Sequence, residues 1–73
     1  MSPSQALSKF IDSYHGGNKT RAAEALNVSR MIIYWWFKNP TKISYEVAIK
    51  IERLTNHQIL ASSIKPDLKN LLN

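Results

Sequence analysis

Residues 18–38 read NKTRAAEALNVSRMIIYWWFK, and our prediction of the fold starts from these residues. It contains two short helical patterns joined by the four residues LNVS at 26–29. We place the first helix at residues 19–26 and the second from residue 30 to about residue 37 or 38. Because only three to four residues separate them, the two helices must meet at a tight turn.

The residue types at this junction meet the steric needs of a helix-turn-helix, at about residues 19–38. Ala23 is small where the two helices cross, and Asn27 tolerates the left-handed conformation that a tight turn requires. Asn18 and Ser29 are suited to cap the two helices. The predicted core of the motif consists of its apolar positions, which are Ala23, Leu26, Val28, Ile33 and Trp36.

One helix on either side of the motif completes the predicted core. Ser2 caps the first, and Gly16 and Gly17 end it. Ser44 caps the other, which follows Pro40 and runs to about residue 54. Their predicted inward faces are Ala6, Leu7, Phe10, Ile11 and Tyr14 in the first helix and Val47, Ala48, Ile51 and Leu54 in the other. A short helical turn is expected near residues 61–64, within a tail at 58–73.

Composition restricts the classes of protein to which this chain can belong. Its 73 residues fit a single domain with a modest core. The chain has no cysteine, which excludes disulfides and thiolate zinc sites, and only His15 and His57 remain as imidazole ligands. We therefore expect no metal, cofactor or small-molecule ligand. We also expect no enzyme, because so small a helical domain leaves no pocket that excludes water from a catalytic group.

The sequence lacks the features of a membrane or secreted protein. No window approaches the roughly 18 apolar residues of a membrane span. Residues 1–4, MSPS, lack the basic start and apolar core of a signal peptide. We therefore expect a cytoplasmic protein, associated with the nucleoid if it binds DNA.

Charge placement predicts a polyanionic partner. Ten Lys and Arg face five Asp and Glu, for a net charge of +5. Lys19, Arg21 and Arg30 lie in first helical turns, where the helix dipole disfavours cations. A phosphate backbone would resolve this conflict, because it favours both the free N–H groups and the cations. The alternative is that these side chains extend into water, at a cost of the order of tenths of a kcal/mol.

The outward face of the second motif helix would enter the major groove of duplex DNA. We predict that Arg30 bonds a guanine edge, Met31 contacts a thymine methyl group, Tyr34 bonds a phosphate or a base edge, and Trp35 packs on sugar and backbone. The predicted phosphate contacts are Lys19, Thr20, Ser29, Lys38 and Lys42. Core packing is the alternative for the aromatic run 34–37, and we assign it to Trp36. The other possibility is that Trp35 lies in the core and Trp36 is partly exposed. Ordinary solvated charge is the alternative for any single lysine.

The sequence also resembles a known family. Residues 22–29, AAEALNVS, followed by Ile33 and Trp36, are similar to the Cro/YdaS-type helix-turn-helix of phage and prophage repressors. The likeness continues through IKIERLT at 49–55 and IKPDL at 64–68, which match the "IERxT" and "(R/K)PDL" patterns of that family. It spans about residues 17–68.

This resemblance implies an all-α fold, a small four- to five-helix domain of the lambda-repressor-like type. It further implies a transcriptional repressor that binds operator DNA, commonly as a dimer on a palindromic site. The base-reading positions of the family fall on Arg30, Met31, Tyr34 and Trp35. Two departures stand out: Asn27 holds a turn position that is usually glycine, and Tyr34 and Trp35 stand where Ser and Gln are usual.

We therefore predict a sequence-specific DNA-binding regulator that acts by occluding its operator. The alternative is a protein-interaction module, or an antitoxin-like prophage regulator, that uses the exposed aromatic face. We also predict a homodimer, because the domain is small, Ile49 lies opposite the inward face of its helix, and the tail is apolar. The apolar tail residues are Ile59, Leu60, Leu71 and Leu72.

Overall fold

The computed structural model describes residues 1–68 of the chain. Its elements are α1 (Pro3–His15), α2 (Lys19–Leu26), α3 (Arg30–Lys38), a 3₁₀ turn (Pro40–Lys42), α4 (Tyr45–Leu54) and α5 (Ala61–Ile64). No strand occurs within residues 1–68. The predicted all-α fold is confirmed. Four to five helices were expected, and residues 1–68 form five α-helices.

Polar side chains set the starts of the first four helices. Ser2 and Gln5 form a reciprocal capping box, in which the Gln5 N–H donates to Ser2 Oγ at 3.2 Å and the Ser2 N–H donates to Gln5 Oε1 at 2.9 Å. Asn18, Ser29 and Ser44 each accept a hydrogen bond from the backbone N–H three residues ahead. Each cap satisfies a backbone donor that has no partner within the helix, worth about 1 kcal/mol. The predicted helix starts are confirmed.

The junction between α2 and α3 is closed by a Schellman motif. Asn27 has φ 57° and ψ 43°, so it adopts the predicted left-handed conformation. Its N–H donates to the carbonyl of Glu24 at 3.1 Å, and the N–H of Val28 donates to the carbonyl of Ala23 at 2.9 Å. Val28 is half-buried against the core, as predicted. These bonds fix the direction in which α3 leaves the turn.

The core lies between α1 and the other helices. α1 contacts α2, α3 and α5, while α4 contacts α2 and α5. The predicted motif residues Ala23, Leu26, Ile33 and Trp36 are all buried. Ala22 and Ala23 are buried where α2 packs on its neighbours, which confirms that small side chains occupy its inner face.

Three predictions about the apolar faces are wrong. Tyr14 and Leu54 are exposed rather than inward-facing. Each lies in the last turn of its helix, and the buried part of its face ends one turn earlier, at Ile11 and Ile51. Ile59 is buried in the core of the subunit, so it is not available to a dimer interface in the tail. Leu60 is exposed, whereas Leu71 and Leu72 lie outside the described residues.

The residues of the IERLT segment connect α4 to α5. Thr55 is buried, and its hydroxyl donates to the carbonyl of Ile51 at 2.8 Å and accepts from the N–H of Ile59 at 3.1 Å. Glu52 Oε1 accepts from the N–H of Ala61 at 2.7 Å, and its Oε2 lies 2.6 Å from His57 Nδ1. The Ala61 N–H, and after it His57, lower the pKa of Glu52 below its ordinary value. α5 is therefore anchored to the end of α4.

The KPD segment at 65–67 contacts the start of α4. Lys65 Nζ donates to the carbonyl of Thr41 at 2.9 Å and lies 4.8 Å from the centre of the Tyr45 ring. The Tyr45 hydroxyl donates to the carboxylate of Asp67, and this hydrogen bond raises the pKa of Tyr45. Because Leu68 is buried, the chain is held on both sides of Pro66. Within residues 1–68, every helix is too short or too polar to cross a bilayer.

Candidate nucleic-acid interface

α3 presents one side to the core and the other to solvent. Ile33 and Trp36 are buried, and Phe37 is half-buried against the core. The opposite side carries five exposed residues, Arg30, Met31, Tyr34, Trp35 and Lys38. Met31 is 74% exposed, Tyr34 49% and Trp35 46%. The four residues predicted to read bases therefore share one accessible face, and the assignment of Trp36 to the core is confirmed.

Both ends of α3 are fixed by short polar side chains. At the start, Ser29 Oγ accepts from the N–H of Ile32 at 3.3 Å, which leaves the hydroxyl hydrogen free to donate to a phosphate oxygen. At the end, the carbonyl of Trp35 accepts from the side-chain amide of Asn39 at 3.0 Å and from its backbone N–H at 2.9 Å. Asn39 and Pro40 predict the end of this helix from sequence, whereas the hydrogen bond from the Asn39 side chain was not predicted.

Lys19 and Tyr34 come together across the α2–α3 junction. The ammonium group of Lys19 lies 5.6 Å from the centre of the Tyr34 ring, within the range of a cation–π contact. Lys19 was predicted to contact a phosphate and Tyr34 to bond a phosphate or a base edge, but the contact between the two side chains was not predicted. At an exposed site such a contact is worth about 0.5–1 kcal/mol, so it favours this orientation of the Tyr34 ring on the outer face of α3.

The remaining predicted phosphate contacts lie around this face. Thr20 is exposed in the first turn of α2, Lys38 in the last turn of α3 and Lys42 at the end of the 3₁₀ turn that follows. Within residues 1–68, the one basic and acidic side-chain pair at salt-bridge distance is His57 and Glu52. Among these residues, no carboxylate lies at that distance from the cations on and beside α3, so their charge is available to an external anion.

A groove lies beside α3, on the side that faces α4. Its walls include Val28, Ile32 and Trp36 from the motif and Val47 and Lys50 from α4. Ile32 is exposed there, although it was assigned to neither the core nor the reading face. Its position in the α3 helix lies between these two faces, so helical periodicity alone left it unassigned.

Within the described residues, the exposed face of α3 is suited to bind another molecule and does not form a metal site. No group of three or more His, Asp or Glu side chains among residues 1–68 is placed to hold a metal ion. What α3 offers instead is a convex face with hydrogen-bond donors, aromatic rings and cations. These are the groups that contact base edges, sugars and phosphates in protein–DNA complexes.

Comparison with known proteins gives one match. The model of a family described as "Bacterial toxin YdaS" matches residues 7–71. No curated protein sequence and no solved structure gives a significant match. The matched region includes the whole of α2, α3 and α4, and therefore every residue of the candidate interface.

Proposed function

We propose that this chain, which belongs to the YdaS family, is a sequence-specific DNA-binding regulator of the prophage type. The protein would bind a palindromic operator site as a dimer. It would act by occluding that operator. The observation that carries this proposal is the solvent-facing side of α3. There, cations that have no carboxylate partner in the described part of the chain flank exposed apolar and aromatic side chains.

In the proposed complex, α3 lies in the major groove and α2 crosses the backbone. Arg30, at the start of α3, presents a planar guanidinium group that can form two hydrogen bonds to a guanine. Met31 and Trp35 supply apolar contact to thymine methyl groups and sugars. The Lys19 contact restrains Tyr34, which lowers the entropy lost when its hydroxyl bonds a phosphate or a base.

Selection of bound fragments from a genomic library, followed by fluorescence polarisation, tests this proposal. We expect the selected fragments to share a site with two-fold symmetry. Binding to that site should weaken as salt rises, because each phosphate contact releases counterions. No preference for any fragment, or an affinity that is independent of salt, would contradict the proposal.

Two substitutions distinguish base reading from backbone contact. Arg30→Ala should relax the sequence preference and cost about 1–3 kcal/mol on the selected site. Lys42→Ala should weaken binding to all sequences alike and reduce the salt dependence by about one phosphate contact. Lys9→Ala removes the same charge from an exposed position of α1, outside the proposed interface, and serves as the matched control.

A second candidate function rests on the family description, which names a toxin, and on the exposed aromatic face of α3. In this alternative, Tyr34 and Trp35 would bind another protein. Expression of the chain in a bacterial host should then slow growth. Growth inhibition that survives Arg30→Ala but is lost in Trp35→Ala, with a partner retained after nuclease treatment, would favour the protein-binding function over the DNA-binding one.

A further inference from the structure

The outer face of α4 carries an apolar side chain between two opposite charges. Glu46, Ile49, Lys50 and Arg53 line one shallow depression on this face. Ile49 is 41% exposed and does not belong to the hydrophobic core formed within residues 1–68. The exposed part of this side chain makes no contact in the core of the single subunit.

Glu46 and Arg53 lie at opposite ends of this face. The face is therefore complementary in charge to the same face of a second α4 that runs antiparallel to it. Glu46 lies in the first turn of α4 and Arg53 in the last turn, seven positions further along, which is about two helical turns. If a second α4 lies antiparallel, Glu46 of each copy meets Arg53 of the other. Ile49 lies close to the midpoint of this pair, so the two-fold axis brings Ile49 against the same residue of the second copy.

We propose that α4 is the surface through which two copies of this chain pair, antiparallel, around a two-fold axis beside Ile49. Lys50 lies at the rim, four residues from Glu46, where its ammonium group remains in water. Ile59 cannot contribute to such an interface, because it is buried within its own subunit. The exposed face of α3 is not part of the contact, so both copies keep their DNA-reading surfaces.

The biological role of this pairing rests on the proposed DNA-binding function. Two joined copies would read the two halves of a palindromic site. One face of a ten-residue helix buries less area than a typical stable interface. We therefore expect weak association of the free protein. Two half-sites on one DNA duplex hold the copies at high effective concentration and so favour the pair.

Cysteine cross-linking of the free protein tests the geometry without DNA. The chain has no cysteine of its own, so each introduced thiol is the only one present. Ile49→Cys should give a disulfide-linked dimer under mild oxidation, because the two residues meet at the axis. Asp12→Cys places a thiol at an exposed position of α1 and is the control. Cross-linking of both variants to the same low extent would overturn the proposal.

Charge reversal tests whether Glu46 of one copy meets Arg53 of the other. Glu46→Arg and Arg53→Glu should each reduce self-association, measured by sedimentation equilibrium, by roughly tenfold, because like charges then face each other twice. An equimolar mixture of the two variants should regain it, since every reversed residue then meets its opposite charge. This rescue cannot come from a repaired fold, because mixing changes neither the sequence nor the intrinsic stability of either monomer.

These outcomes separate the pairing from the DNA-binding function. If the mixture associates no better than the single variants, the α4 pairing is wrong, whether or not the protein binds DNA. If the mixture regains association but no DNA is bound, the pairing stands and the proposed function fails. Binding of reduced Ile49→Cys to a half-site duplex should equal that of the unmodified chain, because this substitution changes no charge and lies outside α3.

Discussion

At the scale of single residues, the α2–α3 junction depends on Asn27. Its left-handed conformation lets two consecutive N–H groups reach carbonyls of the last turn of α2. Asparagine accepts this conformation more readily than most residues with a side chain, and glycine accepts it at no steric cost. The orientation of α3, and with it the placement of the candidate interface, rests on this one backbone conformation.

The effect of a substitution at Asn27 on the free energy of unfolding should therefore depend on how readily the new residue adopts a positive φ. Asn27→Gly should change the free energy of unfolding by less than about 1 kcal/mol. Asn27→Val should lower it by about 1–2 kcal/mol or more, because a β-branched side chain clashes with the backbone in this region. Urea denaturation of the three proteins measures both values, and equal stability of the valine variant would show that the turn adopts another conformation.

Thr55 is the one polar residue within residues 1–68 that is fully buried. Its hydroxyl accepts from the N–H of Ile59 and donates to the carbonyl of Ile51. Thr55→Val keeps the shape but leaves the Ile59 N–H without an acceptor, so it should lower the free energy of unfolding by about 1–3 kcal/mol. Thr55→Ser retains the hydroxyl and is the matched control. A valine variant as stable as the serine variant would contradict this account.

At the scale of helices, the sequence predicted where the elements begin because the signals are local. Ser2, Asn18, Ser29 and Ser44 each bond an N–H only three residues away, so sequence spacing contains the whole interaction. The exposed face of α3 was predictable for the same reason, since helical periodicity placed Ile33 and Trp36 inward.

Contacts between distant segments were not predictable in this way. Whether Leu54 is covered depends on the path of the chain after α4, and Ile59 became a core residue because that path turns back. The Lys19–Tyr34 contact joins residues 15 positions apart through the angle between two helices. Periodicity describes one helix at a time and carries no information on such angles.

The IERLT and KPD segments support the structure rather than the candidate interface. Glu52 joins α4 to α5, and Lys65 and Asp67 contact Thr41 and Tyr45. Glu52, Lys65 and Asp67, which belong to the segments that carried the family resemblance outside the motif, therefore close the end of the domain. Similarity in these segments indicates a shared fold and does not specify which DNA sequence is read.

The Glu52 contacts predict how stability depends on pH. The pKa of Glu52 is lowered in the folded state, by the Ala61 N–H first and His57 second, from an ordinary value of 4.5. The stabilisation is therefore fully present above about pH 4.5 and is lost as the pH falls through the lowered pKa. Urea midpoints between pH 6 and pH 2 should show this loss. Glu52→Gln should lower stability at neutral pH and reduce the decline at acid pH, and an unchanged profile in that variant would contradict the assignment.

At the scale of the whole molecule, the proposed functions use separate surfaces. The exposed side of α3 would contact DNA and that of α4 a second copy, while α1 and α5 complete the core. A domain of this size has limited core to stabilise it, so a contact between subunits should contribute measurably to its apparent stability.

The thermal midpoint should consequently rise with protein concentration. Pairing through α4 stabilises the folded state by mass action, so a hundredfold increase in concentration across the dissociation constant should raise the midpoint by several degrees. In Ile49→Asp the midpoint should be independent of concentration, because the carboxylates meet at the axis. Differential scanning fluorimetry or calorimetry over this range measures the effect, and a concentration-dependent midpoint in that variant would place the contact elsewhere.

The two tryptophans of the chain are neighbours in sequence and lie in opposite environments. Trp36 is 5% exposed, and Trp35 lies on the outer side of α3. The fluorescence emission of Trp36 should shift to longer wavelength only when the domain unfolds. Acrylamide should quench the fluorescence of Trp35 in the folded state. A bound duplex would shield Trp35 from the quencher and leave Trp36 unaffected, so the unlabelled protein can report its folding and its docking through two separate optical signals.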